Sequence, residues 1–69
     1  MLDYKYAKLR GRIVEKTGTQ AKLAEELGVS LVSVNKKLKG ITSFSQKDIV
    51  KWSNILDIDK SEIPVYFFD

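Results

Sequence analysis

Residues 19–40, TQAKLAEELGVSLVSVNKKLKG, contain two short segments of helical periodicity separated by a single glycine. Leu23 and Leu27 repeat one turn apart before Gly28, and Val34 and Leu38 repeat one turn apart after it. Glycine adopts the left-handed backbone that ends a helix without steric cost. The second segment carries three lysines and no acidic residue. This stretch therefore predicts a helix-turn-helix unit with a basic second helix.

The same reasoning predicts a further helix before this unit and gives the bounds of its two helices. The first helix is predicted from about Asp3, as N-cap, to Lys16, with Gly18 after it and a buried stripe of Tyr6, Leu9 and Ile13. Thr19 caps a second helix over 20–27, with Leu23, Ala24 and Leu27 on its apolar face. Val29 is expected to be a buried plug in the turn. Ser30 caps a third helix over about 31–39, which Gly40 closes.

The C-terminal part is predicted to continue as helices. Residues 40–44 form a loop, and Ser45 with Asp48 resembles a capping box for a fourth helix over about 46–56. Ile49, Trp52, Ser53 and Leu56 should face inward, with Trp52 in the core. Asp59 with Glu62 repeats the capping pattern and starts a short fifth helix, which Pro64 should stop. The fold class is thus an all-α bundle of about five short helices, and the β-prone tail allows a short C-terminal strand or arm.

Composition limits the function. With 69 residues the chain should form one domain, with a core over about residues 5–63 and an aromatic arm over 64–69. It has no cysteine and no histidine, which removes thiolate ligands and the commonest general base. The carboxylate pairs Glu25/Glu26 and Asp57/Asp59 have no nucleophile or metal-ligand pattern beside them. We expect no enzymatic activity, no cofactor and no metal.

The chain has no apolar run of about 20 residues and no signal-peptide pattern at its start, so a soluble cytoplasmic domain is expected. Residues 1–40 carry a net charge of +5, whereas residues 41–69 carry −2. Such an asymmetry favours an anionic partner on one side of the molecule. Chance variation of surface charge is the alternative explanation.

The pattern Thr19-Gln20-x-x-Leu23-Ala24-x-x-Leu27-Gly28-Val29-Ser30, followed by Val34 and Gly40, resembles the helix-turn-helix family of phage repressors and Cro proteins. Leu56, Ile58 and Ile63 extend the resemblance, which covers about residues 5–63. The chain as a whole is similar to small repressor-like proteins of phages of Gram-positive bacteria. This resemblance implies a sequence-specific transcriptional regulator that binds operator DNA as a dimer.

The resemblance also implies which residues contact double-stranded DNA. The third helix would enter the major groove, which is about 12 Å wide. Lys36 suits guanine and Asn35 suits adenine, while Leu31 and Val32 would contact thymine methyl groups. Lys47 could add a phosphate contact. The full set of implied DNA-binding residues is Thr19, Gln20, Leu31, Val32, Ser33, Asn35, Lys36, Lys37, Lys39, Ser43 and Gln46.

Two alternatives remain open from the sequence. Leu31 and Val32 cannot hydrogen-bond to a base, so they could instead pack against another protein, which would make the chain an antirepressor or an accessory factor. The tail residues Val65, Tyr66, Phe67 and Phe68 could fold back over the first helix, or they could form the contact of a homodimer.

Overall fold

The computed structural model describes residues 6–68 of the chain, and within this range the protein is all-helical. Helix α1 spans Ala7–Thr17, α2 spans Gln20–Leu27, α3 spans Leu31–Leu38 and α4 spans Gln46–Leu56. A 3₁₀ turn over Lys60–Glu62 leads into a short helix α5, Ile63–Phe67. The all-α prediction is confirmed. The predicted N-cap Asp3 lies outside the described residues, but α1 begins later than predicted, because Tyr6 has a left-handed backbone and the helix starts at Ala7.

Local signals in the sequence define most helix ends. Thr19 accepts the backbone N–H of Lys22 at the start of α2, and Ser30 accepts that of Ser33 at the start of α3. Ser45 and Asp48 form a complete capping box at the start of α4. Gly18, Gly28 and Gly40 all have positive φ angles, as expected for residues that follow helices. The predicted bounds of α2 and α4 therefore agree with the structure.

One apolar core joins the helices. Leu9 and Ile13 of α1 meet Leu23 and Ala24 of α2, and the remaining core members are Val34, Leu38, Trp52, Leu56, Ile58 and Phe67. Ser53 is also buried, as predicted. Tyr6, Leu27 and Ile49, which were also predicted to face inward, are only partly buried but pack against this core. The other predicted inward positions of the first four helices are confirmed.

The C-terminal segment differs from the expectation. Pro64 lies in the first turn of α5 and does not stop that helix. The missing N–H of proline is tolerated there, because the first helical N–H groups have no intrahelical acceptor anyway. Residues 63–67 are consequently helical, and the structure forms no strand or extended arm within residues 64–68.

Phe44 lies at the centre of an aromatic cluster through which α5 packs against the rest of the core. Its ring makes edge-to-face contacts with Trp52 at 4.8 Å between centroids, with Phe67 at 5.1 Å and with Tyr6 at 5.3 Å. Such aromatic pairs stabilise the fold by more than the burial of their apolar area alone. Phe67 is therefore a core residue, which is the fold-back arrangement considered for the tail.

Candidate protein-interaction surface

The turn between α2 and α3 holds the candidate surface in a fixed geometry. The N–H of Gly28 bonds to the carbonyl of Glu25 at 3.2 Å, and the N–H of Val29 bonds to that of Ala24 at 3.0 Å. These two bonds form the Schellman arrangement, with Gly28 in the left-handed conformation. Ser30 then begins α3 directly. The first residues of α3 are thus presented from a rigid corner.

The exposed side of this corner is aliphatic. Leu31 is 42% exposed and Val32 is 60% exposed, although both are the first residues of a helix that buries Val34 and Leu38. Val29 is 47% exposed, so the prediction that it is a buried plug is wrong. Its backbone closes the Schellman turn while its side chain lines a surface depression. We call Val29, Leu31 and Val32 the aliphatic corner.

The depression beside the aliphatic corner has a volume of about 140 Å³ and lies between α3 and α4. Val29 and Ser33 line one side of it, and Lys51 of α4 lines the other. Part of the wall is formed by Trp52, a core residue. An apolar side chain could enter this depression against Val29, whereas Leu31 and Val32 lie outside its lining.

Lys37 is bound within the fold. Its ammonium lies 2.9 Å from the carboxylate of Asp48 and donates a hydrogen bond to the carbonyl of Ser43 at 3.1 Å. It also lies 5.8 Å from the centroid of the Phe44 ring, in cation–π range. These contacts hold α3 against the start of α4, and they engage a lysine that the family resemblance placed among the DNA-binding residues.

The carboxylate of Asp48 is correspondingly stabilised. Burial acts to raise its pKa, but hydrogen bonds from the Ser45 backbone and from Lys37 outweigh burial and hold the pKa below 3.8, its ordinary value. The ion pair is therefore present at neutral pH as a structural contact.

The other residues implied to bind DNA are spread over several elements. Lys36 and Lys39 are exposed at the end of α3 and Gln46 is exposed at the start of α4, whereas Gln20, Ser33 and Asn35 are half-buried. The hydroxyl of Thr19 serves as the α2 cap. Ser43 is exposed, and its carbonyl accepts the bond from Lys37. None of these placements by itself establishes a DNA contact.

Two negative findings concern residues 6–68 alone. No group of three or more carboxylate, histidine or cysteine side chains is arranged to hold a metal ion there. None of the helices in this range is both long enough and apolar enough to pass through a membrane.

The fold and the surface define a small all-helical domain whose helix-turn-helix corner is aliphatic. The chain belongs to the DUF739 family, described as proteins of unknown function, which matches residues 2–69. It is also similar to a solved structure, the modulator of repression (MOR) of the temperate bacteriophage TP901-1 from Lactococcus lactis. The two are 35% identical, with a TM-score of 0.85 over 99% of this chain and 92% of that one. No curated protein matches the chain.

These comparisons correct the identification made from the sequence. The assignment to the phage repressor and Cro family is wrong, because the chain belongs to DUF739 and is similar to a modulator of repression. The conclusion that the chain is an operator-binding transcriptional regulator is wrong on the same findings. The helix-turn-helix pattern reflects packing requirements that the two kinds of protein share, so it specified the scaffold and not the ligand.

The exposed Val29 was the feature of this surface that the sequence missed. A signal was present, since Val29, Leu31 and Val32 place three aliphatic residues within four positions around the start of a helix. Only two of the four residues from 31 to 34 are needed to face the core at helical spacing. The excess of apolar residues therefore indicates that part of this segment stays exposed.

Proposed function

We propose that this protein is an accessory factor in phage repression that acts by binding another protein through the aliphatic corner. The observation that carries this proposal is the exposure of Leu31 and Val32 at the first two positions of α3. Hydrogen-bonding side chains are needed at such positions to distinguish most base pairs. Aliphatic side chains suit the apolar centre of a protein interface.

The similarity to a modulator of repression supports this proposal and indicates the class of partner. A small chain that we expect to have no enzymatic activity could modulate repression by binding the repressor protein. The aliphatic corner, with Lys36 and Lys39 exposed near the other end of α3, provides an apolar centre and a polar rim. We therefore propose a repressor protein of the same phage as the partner.

The test measures binding of the purified chain to that repressor by isothermal titration calorimetry. The double substitution Leu31→Glu/Val32→Glu should abolish binding, with at least a ~100-fold loss in affinity, as expected when central apolar contacts are replaced by charge. Both sites lie in the first turn of α3, where a negative charge favours the helix. The variant should therefore fold, and circular dichroism checks this.

The matched control is Val14→Glu, at an exposed valine of α1 that is remote in sequence from the corner. It adds the same type of charge and should leave binding unchanged. The proposal fails if the wild-type chain does not bind the repressor, or if the double variant binds as well as the wild type.

A further inference from the structure

A second surface, which shares only Lys51 with the depression beside the aliphatic corner, runs along the exposed side of α4. Two depressions lie on it, of about 420 Å³ and about 200 Å³. Val50 lines both of them and is 56% exposed, so they form one continuous surface with an aliphatic residue at its centre. Ile58 and Ile63 extend the apolar floor toward the 3₁₀ turn. We call this surface the α4 face.

The charge on the α4 face has a single sign. Lys47 and Lys51 line the first depression and Lys60 lines the second, while no acidic side chain among residues 6–68 lines either one. All three lysines are exposed and have no ion-pair partner within that range. Uncompensated cations around an apolar centre complement an acidic partner.

Three of the acidic residues near these lysines along the chain have other partners. Asp48 pairs with Lys37 at 2.9 Å, and Asp57 lies 3.6 Å from Lys16. Asp59 accepts hydrogen bonds from the hydroxyl and the backbone N–H of Ser61, and these hydrogen bonds lower the pKa of Asp59. Glu62, two positions after Lys60, is exposed but lines neither depression and forms no ion pair with the three lysines.

A buried polar atom also points to a missing partner. Ser53 lines the second depression and is 7% exposed, yet its Oγ has no hydrogen-bond partner. A buried hydroxyl without a partner is unfavourable, and most such groups in proteins are satisfied. A carbonyl or carboxylate oxygen placed in the second depression would accept a hydrogen bond from this hydroxyl.

We propose that the α4 face binds an amphipathic, acidic peptide segment of a partner protein. An aliphatic side chain of the segment would lie against Val50, with Asp or Glu side chains beside Lys47, Lys51 and Lys60. An oxygen atom of the segment would accept the hydrogen bond from Ser53. A nucleic-acid backbone would satisfy the lysines but offers nothing aliphatic for the floor of Val50, Ile58 and Ile63, so the observations favour a peptide.

The experiment selects binders of the full chain from a displayed random dodecapeptide library. The enriched peptides should combine acidic residues with a small aliphatic cluster. Chemical-shift changes in the ¹⁵N–¹H spectrum on adding the synthetic peptide should concentrate in residues 46–54 and 58–63. Val50→Glu should weaken that peptide at least ~10-fold, as loss of a central contact does, and Lys47→Glu should also weaken it.

Two further variants separate this proposal from simpler explanations. Ser53→Ala should weaken peptide binding while leaving the melting temperature equal or higher, because it removes an unsatisfied buried group; a purely structural role would lower that temperature. Val32→Glu should leave peptide binding unchanged, which keeps the result independent of the proposed repressor contact.

The proposal is overturned if no peptide is enriched, if the enriched peptides lack acidic residues, or if their binding survives Val50→Glu. It is also overturned if a DNA duplex binds the α4 face and competes with the peptide, and if the Lys47→Glu variant no longer binds that duplex. That last result would assign the face to nucleic acid.

Discussion

At the scale of single residues, Asp48 connects three parts of the molecule. Its carboxylate accepts the N–H of Ser45 at 2.9 Å, caps α4 and pairs with Lys37 of α3. Its pKa is below the ordinary value of 3.8, so the folded state binds this proton less readily than the unfolded state. The stabilisation is therefore fully present above about pH 4 and is lost as the pH falls through the lower folded-state pKa.

We predict that Asp48→Asn lowers the free energy of unfolding at pH 7 by about 1 kcal/mol, the usual contribution of a helix cap. Urea denaturation at a series of pH values measures the difference between the two proteins. The difference should shrink below pH 4, where the wild-type carboxylate also becomes neutral. A difference that stayed constant down to pH 2 would contradict the role of the charge.

Phe44 is the residue whose role was least visible in the sequence. It lies in the loop over residues 40–44, and its importance comes from contacts with Tyr6, Trp52 and Phe67, which belong to other parts of the chain. We predict that Phe44→Ala destabilises the fold by about 3 kcal/mol. Thermal unfolding should show a large fall in melting temperature, with a smaller fall for Phe44→Leu. A Phe44→Leu variant as stable as the wild type would show that the edge-to-face contacts of the ring contribute little.

At the scale of helices, Arg12 of α1 stabilises the C-terminus of α4. Its guanidinium donates to the carbonyls of Leu56 at 2.9 Å and of Asp57 at 2.7 Å. The last carbonyls of a helix lack intrahelical partners and carry partial negative charge, so a fixed cation there is favourable. These hydrogen bonds hold the end of α4 against α1.

We predict that Arg12→Ala lowers the free energy of unfolding by about 1–2 kcal/mol, because two charge-assisted bonds to backbone are lost. The matched control is Lys16→Ala, one turn along the same helix. Its ion pair with Asp57 is 3.6 Å long and largely exposed, so its removal should cost less than about 0.5 kcal/mol. Chemical denaturation of both variants measures the two values, and equal losses would refute the assignment.

Helices α2 and α4 could be predicted to the residue, because Thr19, Ser45 and the capping partner of Ser45 are local signals that act within one turn. The exposure of Val29 and the position of Pro64 within a helix could not be predicted, because each depends on which residues pack nearby. Valine after a left-handed glycine is compatible with core or surface, and proline can end a helix or begin one. The scaffold of the site was thus predictable, whereas its ligand required knowledge of which apolar residues stay exposed.

At the scale of the whole molecule, exposed apolar groups lie on separate elements. The aliphatic corner begins α3, Val50 centres the α4 face, and Val65 and Phe68 lie exposed on and just after α5. Since the core already contains Phe67, the two exposed tail residues are not needed to close it. Isolated exposed apolar residues are ordinary, but a valine and a phenylalanine three positions apart can form a joint contact.

We therefore predict that the chain forms a homodimer in which Val65 and Phe68 of both copies meet across a two-fold axis, since symmetric contacts of this kind are the commonest homo-oligomeric arrangement. Phe68 is 67% exposed, so Phe68→Ser should leave the fold intact while shifting the protein toward monomer. Sedimentation velocity over a range of concentrations measures this shift. Val14→Ser, at a similarly exposed position of α1, should keep the wild-type distribution. The tail contact is ruled out if the wild-type chain stays monomeric at every concentration, or if the Phe68→Ser variant is as dimeric as the wild type. Neither result would affect the proposed repressor binding through α3.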